Sequence, residues 1–168
     1  MKNWLFQCAT IFVSLTTCAQ PNFQLRSPDK KILAQIKTDP GLSYTVFVDE
    51  KNILDESVID MNLSNGWSLT IDKKFLNKKE RSIRKIIIAQ IPVSRKYIPD
   101  EFNELSIQFT NHFTIIFRDY NDGIAYRIQT LFSDSVTVLK ETASFKFMKD
   151  AYAYAPVIGF FFSSGRHI

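Results

Sequence analysis

Glu104, Asp119 and Asp122 are the carboxylates placed where they could do chemistry. They fall in a dense stretch that reads F-N-E-L-S-I-Q-F-T from Phe102 and H-F-T-I-I-F-R-D-Y-N-D-G-I-A-Y-R-I-Q-T from His112. Hydrolysis of a bond between sugars needs two carboxyl groups flanking it. Their separation is roughly 5–5.5 Å for retention of configuration and roughly 6.5–9.5 Å for inversion. Asp119 and Asp122 lie close together at a hairpin tip. The plainer reading is structural: Asp122-Gly123 is the pair a positive-φ turn favours, with Gly123 as the turn glycine, and Asp119 can bond nearby amides. No catalytic residue is assigned on this pattern.

Arg118 and Arg127 stand on the strands flanking that turn, alternating with Phe117 and Tyr126. A reversal at 121–123 brings the two strands together. Arg118 can then pair with Asp119, Asp122 or Glu104. A charge network or an anchor at a domain interface is the leading role for the five residues Glu104, Arg118, Asp119, Asp122 and Arg127; contact with a sugar is the other. Trp67, Tyr97, Tyr120 and Tyr126 could form a stacking platform for sugar C–H faces, or serve as core and edge cover. His112 reads as an exposed strand residue next to Phe113. No spacing supplies the three or four convergent ligands a metal needs.

The elements that must position these residues are strands. Apolar residues recur with period two through most of the chain. Phe23–Arg26, Lys31–Lys37 and Leu42–Asp49 form a meander, with turns at Ser27-Pro28-Asp29-Lys30 and Thr38-Asp39-Pro40-Gly41. A hairpin loop is expected at 50–52. Residues 53–64 read as a further strand or irregular edge, Asn65-Gly66 as a turn, and Trp67–Ile71 as the strand after it. Residues 72–82 read as an exposed basic loop. Ile86-Ile87-Ile88 reads as a strand buried on both faces, and Pro92 and Pro99 bracket a poorly paired connection. Then follow Leu105/Ile107/Phe109, Phe113/Ile115/Phe117, Ile124/Tyr126/Ile128, Val136/Val138 and Phe145/Phe147. No helix of ten or more residues is expected after position 20. Many short strands at regular spacing indicate an all-β antiparallel sandwich or barrel.

The chain has 168 residues, 45% of them apolar and 14% aromatic, with fifteen Phe and a net charge of +4. That suits one domain with a real core. The cluster Lys73, Lys74, Lys78, Lys79, Arg81, Arg84 and Lys85 suits a solvated strand edge better than a nucleic-acid surface, because no recognition motif accompanies it. The start reads as an export signal over 1–19: Lys2, then an uncharged, mostly apolar stretch from Trp4 to Thr17. Cleavage after Ala19 and lipidation of Cys18 at Leu15-Thr16-Thr17-Cys18 both remain open. Cys8 and Cys18 are the two cysteines, so cleavage after Ala19 leaves no disulfide and no thiol nucleophile. Ala151–Pro156 looks like another strand. The apolar run Val157–Phe162 suggests either a cut-off sandwich or a last core strand.

The stretch 102–130 resembles the N-terminal domain of glycoside hydrolase family 97, whose members carry Y-N-E-L and then F-R-x-Y-x-D-G-x-A-Y-R. The opening resembles the family's S-P-D-G-K followed by L-x-Y-x-V. Two departures stand out. Phe102 replaces the Tyr, and the W-x-P-x-x-G-E stretch before it is missing. The resemblance implies a galactose-mutarotase-like β-sandwich over 20–168, incomplete at its C-terminus, that packs on a catalytic (β/α)₈ barrel. It implies that complete relatives are exported bacterial α-glucosidases or α-galactosidases that use calcium. The acid, the base or nucleophile and the calcium-binding glutamates would lie outside this chain. By itself the chain should bind carbohydrate or the barrel without catalysis. The alternative is a stand-alone exported carbohydrate-binding or structural β-sandwich lipoprotein, held at the membrane only through Cys18. Location in the periplasm or at the outer membrane follows from either. No nucleic-acid partner and no metal site in this chain are expected.

Overall fold

A computed structural model describes residues 22–91 and 95–148. The expected signal segment with Cys18, the strand at 151–156 and the run at 157–162 lie outside the described residues. Within them every regular element is a β-strand, in two antiparallel sheets.

The first sheet begins as the expected meander: β1 (Asn22–Arg26), β2 (Ile32–Lys37), β3 (Ser43–Val48) and β4 (Lys51–Leu63). Each strand pairs with the next. Period two does the sorting. Phe23, Leu25, Ile32, Ala34, Ile36, Tyr44 and Val46 all turn inward and are buried, while alternate residues face out. The β1–β2 turn is tied by Ser27: its hydroxyl donates to Asp29 at 2.6 Å, and its carbonyl accepts from the Lys30 amide at 2.9 Å. Lys30 stands where the family pattern has glycine, yet holds φ at 67°, a region that costs a residue with a Cβ about 1 kcal/mol. The β3–β4 reversal is a two-residue turn through Asp49 (φ 46°) and Glu50 (φ 65°). It lies slightly earlier than the loop expected at 50–52. Left-handed φ at both central residues matches the natural twist of a hairpin.

Two expectations fail around the crossover to the second sheet. Gly66 does turn the chain with φ 84°, but Trp67–Ile71 forms only a single bridge, Asn62 to Ser68. The reason is Asn111. Its buried side-chain amide donates to the carbonyls of Ser68, Leu69 and Ile71 at 2.9, 3.3 and 3.1 Å, giving them a partner other than a strand. In turn, the basic stretch read as a loop is the start of β5 (Phe75–Ile88), a 14-residue edge strand. With one side open and little covering its faces, it has no apolar alternation to display.

The second sheet is β5, β6 (Tyr97–Phe109), β7 (Phe113–Tyr120) and β8 (Ile124–Thr130), in that spatial order. The chain then returns to the first sheet, where β9 (Val138–Ala143) and β10 (Lys146–Phe147) pair with β4. Leu105, Ile107, Phe109, Phe113, Ile115 and Phe117 point at the first sheet and fill the core. Tyr44, Phe117 and Tyr126 pack mutually across the gap, with ring centroids 5.8–6.0 Å apart.

β5 and β6 pair along their whole length, from Phe75–Phe109 to Ile88–Tyr97, but β7 covers β6 only over Phe102–Gln108. The last five rows therefore form a two-stranded arm beyond the sheet. Ile86, Ile87 and Ile88, expected to be buried on both faces, are 66%, 44% and 62% exposed there. Pro99 is no connector; it lies within β6, opposite Ile86. The Ala89 amide donates to the Lys96 carbonyl, so alternation turns the Pro99 nitrogen away from β5, where no donor is missed.

Candidate functional site

The turn that closes β7–β8 runs through Asn121 and Asp122, with the Tyr120 amide donating to Gly123 at 2.8 Å. Gly123 is at the turn as expected, but neither it nor Asp122 is among the residues with positive φ. Space around a Cβ at Gly123 is open, so the left-handed requirement read from Asp-Gly does not hold. What the turn does is set register. Phe102 meets Tyr120, Glu104 meets Arg118, and Arg118 meets Ala125 while Ile116 meets Arg127. All these residues alternate with core positions and so lie on the outer face of the sheet.

On that face Glu104 is held between two arginines. Arg118 Nε donates to Oε2 at 2.7 Å. Arg81, from β5, donates through Nε to Oε1 at 2.6 Å and through a terminal nitrogen to Oε2 at 3.0 Å. This fork is the geometry in which a guanidinium binds a carboxylate most strongly. Burial is the largest single influence on Glu104 and pushes its pKa up. The hydrogen bonds and charges of Arg81 and Arg118 together outweigh it, and the net shift is down. The Arg118 guanidinium also lies 4.4 Å from the ring centre of Phe102, a cation–π distance. Phe102 packs on Tyr120 at 5.1 Å. Phe102, Glu104 and Ile116 are thus buried although they face outward.

Of the three partners the sequence left open to Arg118 (Asp119, Asp122 and Glu104), the structure selects Glu104. Sequence reasoning missed Arg81, which was read as one charge in a solvated cluster. No local signal marks it, because its partner lies 23 residues away. Arg127 shares the outer face and is exposed. With Arg118, Tyr120 and Ile116 it lines a recess of about 150 Å³. Asp122 is exposed at the turn.

Asp119 points the other way. It is wholly buried in the sandwich, and neither carboxyl oxygen has a hydrogen-bond partner. Burial, and then the charge of Asp29, push its pKa up to about 7. A carboxyl sealed inside cannot share a cleft with Asp122 at the exposed turn, so the two do not form an acid–base pair. The four aromatics also fail to converge. Tyr97 is in the arm, Tyr120 on the outer face and Tyr126 in the core. Trp67 packs on His112 and Phe132 at 5.2 and 5.9 Å. His112 is a turn residue with φ 68°, not part of a strand.

Calcium, which the family resemblance implies, does not fit the described residues. No three of their His, Cys, Asp or Glu side chains converge, and both oxygens of Glu104 are taken by cations.

Two antiparallel sheets closed over an aromatic core define an all-β sandwich domain. The family described as Glycosyl-hydrolase 97 N-terminal matches residues 25–165, and the chain belongs to it. A retaining alpha-galactosidase of Bacteroides thetaiotaomicron is 28% identical over 158 residues, covering 94% of this chain and 24% of that enzyme. A family 97 enzyme from Pseudoalteromonas sp. strain K8, solved with panose, superposes with a TM-score of 0.67 at 16% identity, over 75% of this chain and 20% of its own. A beta-arabinopyranosidase superposes with a TM-score of 0.65 at 24% identity, over 74% of this chain and 21% of its own. These structures share the fold. The chain spans about a quarter of the curated relative it matches.

Proposed function

We propose that this chain is the N-terminal sandwich of an exported α-glucosidase or α-galactosidase of family 97, and that it supports catalysis without performing it. The observation that carries this reading is the outer face of β5–β8. Its carboxylate, Glu104, is saturated by Arg81 and Arg118. It is therefore unable to act as acid, base or calcium ligand, but well suited to hold a rigid surface against a catalytic domain. The exposed Arg127 beside the small recess is the group left to anchor a partner's carboxylate or a sugar hydroxyl. Panose and acarbose complexes of a Pseudoalteromonas family 97 enzyme and the Bacteroides relative's name support the substrate class. Calcium belongs, in this reading, with the catalytic domain. Export rests on Lys2 followed by the uncharged stretch Trp4–Thr17, and leaves the protein in the periplasm or, through lipidated Cys18, at the outer membrane.

The purified chain should release no nitrophenol from nitrophenyl α-glucoside or α-galactoside, with or without calcium. Turnover that vanishes in an Asp119→Ala, Asp122→Ala variant would overturn the proposal. Turnover that persists in that variant would come from a contaminating enzyme, and its removal should leave none.

A further inference from the structure

Among the described residues the sandwich is open along one side. β8 is the last strand of its sheet, and no described strand pairs with its far edge. Its inward row, Ile124, Tyr126 and Ile128, is only partly buried, whereas Phe113, Ile115 and Phe117 on β7 are all 0% exposed. Beside that edge lies a groove of about 490 Å³, lined by Tyr44, Leu54, Phe117, Tyr126, Phe145 and Phe147. Phe145 and Phe147 are 61% and 48% exposed. The groove thus presents apolar surface without cover and, next to it, an open strand edge. An occupant that is itself a strand satisfies both, with side chains for the groove and backbone for the edge.

We propose that the occupant is this chain's own segment 151–156, added to the second sheet as the strand beyond β8. Continuity selects it first. The chain leaves β10 at Phe147, which itself lines the groove. The steps from Phe147 to Ala151 reach about 14 Å when extended, enough to cross the roughly 10 Å between stacked sheets and arrive at β8. The family match runs on to residue 165, so the segment belongs to the same domain as the groove. Its chemistry fits as well. It reads A-Y-A-Y-A-P. Tyr152 and Tyr154 share one face and cover Tyr126 and Phe147. The small Ala151, Ala153 and Ala155 share the other, continuing the outer face past Ala125 and Arg127, and Pro156 ends the strand. Docking through the short linker 148–150 is intramolecular, with an effective concentration on the order of millimolar, so a second copy or a free apolar ligand competes poorly. The groove is closed from within, and the opposite, outer face of β5–β8 is left as the surface for a catalytic domain.

Hydrogen exchange of the full, unaltered chain, read by mass spectrometry, tests this. The amides of 152–155 should exchange roughly a hundredfold or more slower than in a free peptide of that sequence. Exchange at the free-peptide rate overturns the proposal. Position is read by a photo-cross-linker. With Tyr126 replaced by benzoylphenylalanine, irradiation should join residue 126 to 151–156 of the same chain. Cross-links only to β9 or β10, or only between two chains, overturn the proposal even where 152–155 are protected. Tyr152→Ser with Tyr154→Ser should abolish that protection and raise the binding of an apolar dye, while the amides of β2 and β3 stay protected. Protection of 152–155 that survives this double change would place the segment elsewhere and overturn the proposal. None of these readouts involves the glycosidase assay, so either reading can fail alone.

Discussion

Glu104 and Asp119 are both buried carboxylates on neighbouring strands, 4% and 0% exposed, yet their environments are opposite. Glu104 faces outward into two guanidinium groups, and its pKa is lowered. Asp119 faces inward, neither of its oxygens has a hydrogen-bond partner, and its pKa is raised to about 7. Desolvation acts on both. What differs is whether a cation repays it. The register of β6 against β7 places Arg118 opposite Glu104 and Asn103 opposite Asp119, with Ile124 on its other side, but the Asn103 amide donates to the Arg26 carbonyl at 2.7 Å instead.

The largest test breaks the satisfied site. Glu104→Gln leaves Arg81 and Arg118 facing each other with no anion between them. Because both arginines are partly in water, the loss is discounted to about 2–3 kcal/mol, below that of a fully buried pair. A urea midpoint that does not move would mean the triad is a surface ornament.

The next removes the unsatisfied site. Asp119 has a folded pKa above its unfolded value, so the native state holds its proton longer. Its contribution to stability is present at acid pH and is lost as pH rises from about 4 through about 7. Glu104 has the opposite sign: its contribution is present at neutral pH and lost as pH falls through its depressed folded pKa. Taken together, the two groups make stability fall both toward strong acid and toward neutral pH. Asp119→Asn should stabilise the protein by about 1–2 kcal/mol at pH 8, do nothing at pH 4, and flatten the curve between. Thermal unfolding across that range checks it. A wild-type curve still rising at pH 7 would contradict the assignment.

Smaller effects sharpen the comparison. Lys30→Gly relieves left-handed strain in the turn that holds Asp29, and should add about 0.5–1 kcal/mol without changing the shape of the pH curve. Asp29→Asn removes the one charge that raises Asp119 further. The midpoint of the pH-dependent loss should then move to lower pH, with the Glu104 limb unmoved. An equal shift in both limbs would show that the two sites are coupled through the sheet.

Much of this was legible in the amino-acid sequence. Period-two alternation at Ile32–Ile36, Tyr44–Val46, Leu105–Phe109 and Phe113–Phe117 fixed the strands that are half-buried, because alternation is what one covered face imposes. The F-R-x-Y-x-D-G stretch carried the family. Where a strand has no covered face, or is covered in part only, the pattern had nothing to report. So the first part of β5, 75–82, read as a loop, and the isoleucines at its end, though read as strand, read as buried on both faces. The Asp-Gly dipeptide suggested a left-handed turn that the chain does not adopt. Lys30, which does adopt one, is a residue no propensity would choose.

The sequence by itself determined the period, the family and an acidic partner for Arg118 among Glu104, Asp119 and Asp122, since these rest on residues near one another in the chain. Only the tertiary structure decided that Arg81 completes the triad, that Asp119 is sealed away without a partner, and that the β5–β6 arm stands outside the core. Each depends on which strand ends up beside which and how far their overlap extends. That is set by register and sheet-on-sheet packing over separations of tens of residues, a quantity no local pattern encodes.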